Sequence, residues 1–377
     1  MRRSHRLWRV ARPLYLAWRK ARGPDVFHGG PPAGVFSEAD AVKRGEAEGG
    51  VSQPALTLRP VPAESEIVRA GLGQEAYTTW QSVWSMRDNA RVLDPGHSHV
   101  DSSGRACIEA MHGPHHLTDP VFRRNRASRT THVEECATSI ISRWNDGTSY
   151  YHWFLDGLTR LSHLRQFPAD TTILVPERLA GFAHRSIEIL GLESRVMPAP
   201  AGDLHVARYA FAGPTMPSGC PDPQGVAWLR QTFLKESRGI PTPIRDIFID
   251  RTANRRICLN AGEVAETFSR MGWEVVDPGT LDLDAQIRLF RQARRVAGIH
   301  GAGLTNLLWM KPGTSVLEIM PSRRRNGCYA AIAHCIGIRH HTWVIPSDRL
   351  ANLTIPAEGI RRRLDGIEHL DSPRTST

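Results

Sequence analysis

The segment Arg295-Val296-Ala297-Gly298-Ile299-His300-Gly301-Ala302-Gly303-Leu304-Thr305-Asn306 constrains the fold of this chain more than any other. An apolar run leads straight into a glycine-rich turn and then into a second apolar stretch. That order reads as a buried strand, a tight turn and a helix. The first-turn N–H groups of such a helix, with the positive end of its dipole, face whatever lies above the strand. Glycines let the backbone approach a ligand closely. His300 stands at the carboxyl end of the strand, where open parallel sheets bind their ligands. The segment is not a dinucleotide fingerprint, because Asn306 replaces the third glycine. A strand-to-helix turn with no ligand has the same local pattern, so this segment alone leaves both readings open.

From about residue 148 the whole chain alternates in the same way. The periodicity predicts helices at Tyr150–Arg165, Leu179–Leu190, Pro223–Glu236, Ala261–Met271, Asp284–Ala293, Leu304–Met310 and Tyr329–Ile336. Between them it predicts strands at Thr171–Val175, Leu204–Phe211, Ile244–Asp250, Trp273–Val276, Arg295–Ile299, Ser315–Ile319 and His341–Ile345. Such alternation argues for an α/β protein with parallel sheets covered by helices on both faces. A length of 377 residues suits two domains better than one. The expected organisation is a basic amphipathic segment at 1–22, a Gly/Pro-rich linker at 23–54, a first domain at 55–240, a second at 241–350, and a C-terminal helix and tail at 351–377. Pro241-Thr242-Pro243 marks the hinge. Residues 55–145 give short apolar runs broken by turn residues and no element assignment.

The formal net charge is +10. Eight of the positive charges lie in residues 1–24, which carry no acid, so the body of the chain is close to neutral and need not bind nucleic acid. Leu7, Ala11, Leu14, Tyr15 and Trp18 share one helical face. A helix packed on the body, a frayed tail and a helix lying on an anionic membrane surface all fit that pattern. No apolar run is long enough to span a membrane. The six cysteines contain no C-x-x-C pair and read as reduced thiols of a cytoplasmic protein. His112, His115 and His116 read as a polar loop rather than a metal site.

Three further segments carry chemistry. His152 and Asp156 are four residues apart and share a helix face, so a carboxylate beside an imidazole could act as general base. A structural histidine with Asp156 paired to Arg160 fits the spacing too. Ile247-Phe248-Ile249-Asp250-Arg251, followed by Arg255 and Arg256, places guanidinium groups just past a strand end, where they could neutralise a diphosphate or simply form a solvated loop. Asp282-Leu283-Asp284 resembles a metal-binding D-x-D, but it stands where a helix begins, and capping accounts for it.

In their order and spacing, these pieces resemble the family 61 glycosyltransferases, which include bacterial capsular-polysaccharide enzymes, plant xylan-decorating transferases and animal protein-linked N-acetylglucosaminyltransferases. The resemblance runs from about Ser149 to Pro321. It rests on Tyr150-Tyr151-His152-Trp153-Phe154-Leu155-Asp156-Gly157, Asp250-Arg251 with Arg255, Arg256 and Asn260, Gln286-Ile287 with Phe290 and Ala293, the His300–Asn306 turn, and Pro312-Gly313 leading to Val316-Leu317-Glu318-Ile319. It implies a GT-B fold, two Rossmann-like domains facing a central cleft. It also implies an inverting enzyme that takes sugar from a nucleotide-sugar, commonly UDP-linked, with no cofactor and no obligatory metal. Residues 55–240 would then face a glycan or lipid-linked glycan acceptor, and residues 241–350 would bind the donor. Asp156 is expected as the base, with His152 orienting or replacing it. Arg251, Arg255, Arg256, His300, Gly301, Ala302, Gly303, Thr305 and Asn306 are expected at the donor, with Glu318 on the ribose hydroxyls or paired to one of Arg323–Arg325. The alternative is a non-catalytic nucleotide-sugar-binding protein of the same fold. The biological setting implied is surface or capsular polysaccharide synthesis at the inner face of the plasma membrane.

Overall fold

The structure, a computed structural model, describes residues 35–53, 57–59, 77–78, 82–93, 98–100, 104–107, 109–110, 130–142, 144–213, 218–234, 242–250, 258–323 and 326–371. The basic segment 1–22, the His112–His116 cluster and the hinge proline Pro241 lie outside these residues.

Two sheets organise the chain. The strands of the first half are Val35–Phe36 (β1), Glu48–Gln53 (β2), a detached hairpin of Thr57–Leu58 (β3) and Tyr77–Thr78 (β4), Ser82–Leu93 (β5), Ser98–Val100 (β6), Ala106–Cys107 (β7), Thr130–Ser139 (β8), Thr172–Val175 (β9), Val196–Pro198 (β10) and Asp203–Ala212 (β11). Apart from the hairpin they form one mixed sheet in the order β1-β7-β6-β5-β11-β8-β9-β10, with β2 beside β5. The flank from β11 to β10 is parallel, as the alternating pattern predicts, whereas β5 runs antiparallel to β11 over eight residue pairs. Thus the unassigned stretch 55–145 supplies β5 and β8, the two strands on either side of β11. The residues Val83, Val92, Val133, Ala137, Leu204, Val206 and Phe211 close a core on one face of this sheet.

The second sheet comprises Arg245–Ile249 (β12), Glu274–Val276 (β13), Ala293–Ile299 (β14), Ser315–Pro321 (β15) and Arg339–Ile345 (β16), in the order β13-β12-β14-β15-β16, all parallel. The chain reverses its direction of winding between β12 and β14. In open sheets of this order, ligands bind in the crevice beyond the carboxyl ends of those two strands.

Helices Glu38–Lys43 (α1), Tyr150–His152 (α2), Gly181–Leu190 (α3), Pro223–Phe233 (α4), Ala261–Arg270 (α5), Leu283–Arg291 (α6), Cys328–Ile336 (α7) and Ala357–Asp371 (α8) complete the fold. Gly191 ends α3 in the left-handed conformation at φ +65°, where glycine carries no Cβ penalty. Two elements depart from the expected α-helices. Residues Trp153–Gly157 continue α2 as a π-turn, followed by a 3-10 stretch at Leu158–Gln166. The turn after β14 also leads into a 3-10 helix, Ala302–Trp309.

The two halves share one apolar core. Trp309 packs edge-on against Phe154 and tilted against Phe233, with centroids 5.4 and 5.6 Å away. Arg230 of α4 donates to the Leu308 and Met310 carbonyls (2.5 and 2.7 Å) at the end of the 3-10 helix, where the backbone dipole favours a cation.

Candidate active site

The π-turn sets the geometry of the first cluster. Extra-residue turns of this kind recur at functional sites because they re-aim side chains. Here His152 and Asp156 meet: imidazole Nδ1 and carboxylate Oδ2 lie 2.7 Å apart. Ser218, from the segment before α4, donates to the same Oδ2 at 2.7 Å. Arg160, the partner considered for Asp156, instead bonds its backbone carbonyl through Nε at 3.0 Å. Burial separates the two members of the dyad. The Asp156 side chain is 1% exposed, the His152 ring 28%. The carboxylate holds Nδ1, so Nε2 is the nitrogen left to exchange a proton with a substrate.

The second cluster stands at the end of β14. His300 Nδ1 lies 2.5 Å from Glu318 Oε1, and His340 Nε2 lies 2.8 Å from Glu318 Oε2. Glu318 is fully buried. Burial alone would raise its pKa, but the charges and hydrogen bonds of His300 and His340 outweigh that and hold it down to about 2. Both carboxylate oxygens are therefore turned to histidines, not to a ribose or to Arg323, whose Nε donates to the Ser347 carbonyl. Glu318 holds His300 in place, as Asp156 holds His152. The two clusters are linked by a run of aromatic edges: His152 to Tyr151 at 5.2 Å, Tyr151 to Tyr329 at 5.9 Å, and Tyr329 to His300 at 5.0 Å.

A cavity of about 650 Å³ opens at the crossover between β12 and β14. Ile249 and Asp250 form one wall, Ala302, Gly303 and Asn306 another, and Thr148–Tyr150 of the first half close it. Its size suits a nucleotide-sized ligand. Gly303 belongs there because a Cβ would come within 2.9 Å of Ile249 Cγ2. The 3-10 helix leaves the N–H groups of Ala302 and Gly303 without carbonyl partners inside the helix. Asp250, Asp277, Asp282 and Asp284 also line the cavity. Carboxylates accept from hydroxyls, so this rim matches the sugar and base end of a nucleotide better than its phosphates. Asp282 caps α6 through Ala285 N at 2.7 Å, and Asp284 pairs with Arg185 at 2.7 Å. The reading of the D-x-D as a helix cap thus holds for Asp282, while Asp284 forms an ion pair.

The remaining expected donor residues divide between cavity and interior. Gly301 shapes the turn. Thr305 is fully buried. Asn306 stands in the cavity wall but is fully buried too, and its amide is committed: Nδ2 donates to Gln286 Oε1 (2.9 Å), and Oδ1 accepts from the Tyr150 hydroxyl (3.2 Å). Arg251, Arg255 and Arg256 lie outside the described residues, in the segment that follows Asp250. Ser218, Tyr329 and His340 were absent from the expectation. No local pattern marks them, because each is brought in by a different element.

Residues 150–317 match the family Glycosyltransferase 61. The match covers a little under half of the chain. It begins at Tyr150 and ends just before Glu318, so it encloses the His152–Asp156 pair and the His300 turn. Beta-1,2-xylosyltransferase RCN11 of Oryza sativa subsp. japonica is 38% identical over 66 residues, which cover 18% of this chain and 12% of that protein. The EGF domain-specific O-linked N-acetylglucosamine transferase of Gallus gallus is 31% identical over 116 residues, covering 28% of this chain and 22% of that protein. The matches therefore span less than a quarter of these relatives' length. Among solved structures, E. coli heptosyltransferase WaaC with ADP aligns at 12% identity and a TM-score of 0.31, covering 61% of this chain and 99% of that one. Among the described residues no helix is long and apolar enough to cross a membrane.

Proposed function

We propose that this chain is an inverting glycosyltransferase that moves a sugar from a nucleoside-diphosphate donor, uridine-linked by the family resemblance, to a hydroxyl of a glycan acceptor. The observation that carries this reading is the pairing of His152 with Asp156. It provides an oriented imidazole at the entrance of a buried carboxylate, in a chain whose second sheet opens a nucleotide-sized cavity at its crossover.

In this mechanism the acceptor oxygen attacks the anomeric carbon while the bond from that carbon to the diphosphate oxygen breaks. The acceptor proton passes to His152 Nε2. Asp156 keeps Nδ1 protonated and stabilises the imidazolium that forms, so the base is His152 and the carboxylate orients it. This reverses the first expectation, on the ground of burial. The diphosphate leaves with an added negative charge. That charge is met by the N–H groups of Ala302 and Gly303, by His300 held on Glu318, and by Arg251, Arg255 and Arg256, which follow the carboxyl end of β12 in sequence. Electrostatic stabilisation of this kind is commonly the largest catalytic contribution. The nucleoside occupies the acidic cavity, its hydroxyls donating to the aspartates. No step requires a bound metal.

The test is a thermal-shift series of the full chain with UDP, GDP, CDP and ADP, with and without EDTA, followed by NMR of the anomeric proton of any product. A ligand at about 100 times its Kd adds about 2.7 kcal/mol of stability. A shift with one nucleoside diphosphate and a product of inverted configuration support the reading. A shift without turnover of any donor would leave the non-catalytic binding protein, and a flat response would remove the donor site.

A further inference from the structure

Trp144 is 41% exposed, and it is the one aromatic side chain among the large exposed hydrophobics of the described residues. It stands beside the dyad. Its indole and the His152 ring are nearly parallel, with centroids 6.1 Å apart and an angle of 25° between planes. An exposed indole costs free energy in water, and a frayed loop would be the simplest explanation for one. The turn that carries Trp144 is instead pinned on both sides. Asn145 is fully buried; its backbone N–H reaches the Ser142 carbonyl at 3.1 Å and its side-chain Nδ2 the Ile140 carbonyl at 2.8 Å. Asp146 Oδ1 accepts from Thr148 N, Thr148 Oγ1 and Ser149 N at 2.9, 2.8 and 3.2 Å. Gly157, the last residue of the π-turn, makes room for this anchor. A Cβ on Gly157 would lie 2.3 Å from Asn145 Nδ2. The residues that follow Trp144 are thus tied to the turn that carries the base, and the indole is placed beside it.

We infer that Trp144 is the acceptor subsite: its indole face stacks on the apolar C–H face of a pyranose ring whose hydroxyl points to His152. A sugar ring is polar at its rim and apolar on its faces. The electron-rich indole face attracts the slightly positive C–H groups and sheds water from both surfaces. A platform held in place before binding loses little entropy when the sugar arrives. With the indole and imidazole centroids 6.1 Å apart and their planes within 25° of parallel, a ring lying on Trp144 sits beside the base, where proton transfer needs its hydroxyl. This inference rests on His152 being the base, and it adds the chemical class and the position of the acceptor.

The experiment uses the full chain labelled with 5-fluorotryptophan. The Trp144 fluorine signal is assigned by its absence in Trp144→Phe. Methyl β-xyloside, methyl β-glucoside, methyl β-galactoside and methyl β-N-acetylglucosaminide are titrated to about 100 mM, well above the millimolar affinity of a ligand with few contacts. The expected result is that at least one glycoside moves the Trp144 signal. Trp144→Ala should then weaken that glycoside about tenfold or more, and Trp144→Phe should restore most of the loss. No movement at Trp144 with any glycoside, or equal affinity in Trp144→Ala, would overturn the subsite. UDP added to the same samples reports the donor site separately. If UDP fails while a glycoside still moves Trp144, only the donor reading falls.

Discussion

The hydroxyl of Tyr150 donates to Asn306 Oδ1 at 3.2 Å and accepts from Trp309 Nε1 at 3.1 Å, joining the first residue of the His152 helix to the turn after β14. The two sequence motifs are thereby one structural object. Tyr150→Phe leaves a buried amide oxygen and an indole N–H each short of a partner. The expected cost is about 1–3 kcal/mol, read as a lower urea midpoint at unchanged m-value. A midpoint equal to that of the parent chain would show that the bond does not tie the halves together.

Gly303 and Ile249 meet where the second sheet reverses its winding. Gly303→Ala brings a methyl to 2.9 Å from Ile249 Cγ2. Overpacking of this kind costs about 1–3 kcal/mol. Because the strain falls on the cavity wall, nucleoside-diphosphate affinity should drop about tenfold, one decade per 1.4 kcal/mol. The compensating change Ile249→Ala should recover much of it. Isothermal titration of both variants measures this, and an unaltered Kd in Gly303→Ala would place the nucleotide elsewhere.

In the dyad, Asp156→Asn keeps the shape and the Ser218 contact but can no longer stabilise an imidazolium. Turnover should fall by about 10²–10⁴. His152→Ala should lose a similar factor, and the double variant little more, since members of one unit are not additive. Nucleoside-diphosphate binding should survive in all three. Additive losses in single-turnover rates would indicate that the two residues act separately.

His163 is buried against Ser82, with Nε2 to Oγ at 2.8 Å, and burial pushes its pKa from 6.5 down to about 4. The unfolded chain takes up this proton near pH 6.5, the folded chain only near pH 4. Stability from this site is therefore complete above about pH 6.5 and falls as the pH drops toward 4, by at most about 3 kcal/mol. His163→Gln should flatten the stability profile across that window. Denaturant melts at pH 7, 5.5 and 4.5 check it, and parallel profiles for variant and parent would assign the acid sensitivity to other groups.

The alternation from residue 148 onward, the second sheet and the locations of the His152–Asp156 pair and the His300 turn were legible in the sequence. Each rests on local periodicity and on glycine and proline positions, which act within a few residues. Strands β5 and β8 were not legible. Their pairing with β11 is made across more than a hundred and about seventy residues respectively, and only the closed sheet makes their mixed pattern stable. A helical run at 150–165 was legible, but its division into an α-turn, a π-turn and a 3-10 stretch was not, because periodicity marks the buried face and not the hydrogen-bond register.

What the sequence alone determined is where the candidate residues stand: a spacing of four joins His152 to Asp156, and a strand ending at His300 leads into glycine. Only the tertiary structure decided what each one faces. It buried Asp156 and left His152 partly exposed, turned Glu318 to two histidines, brought Ser218 onto the dyad and left Trp144 beside it. The physical reason is range. Backbone preference acts over one turn or one strand, whereas burial and the partners of a charged group depend on elements that meet only when the two sheets close on their shared core.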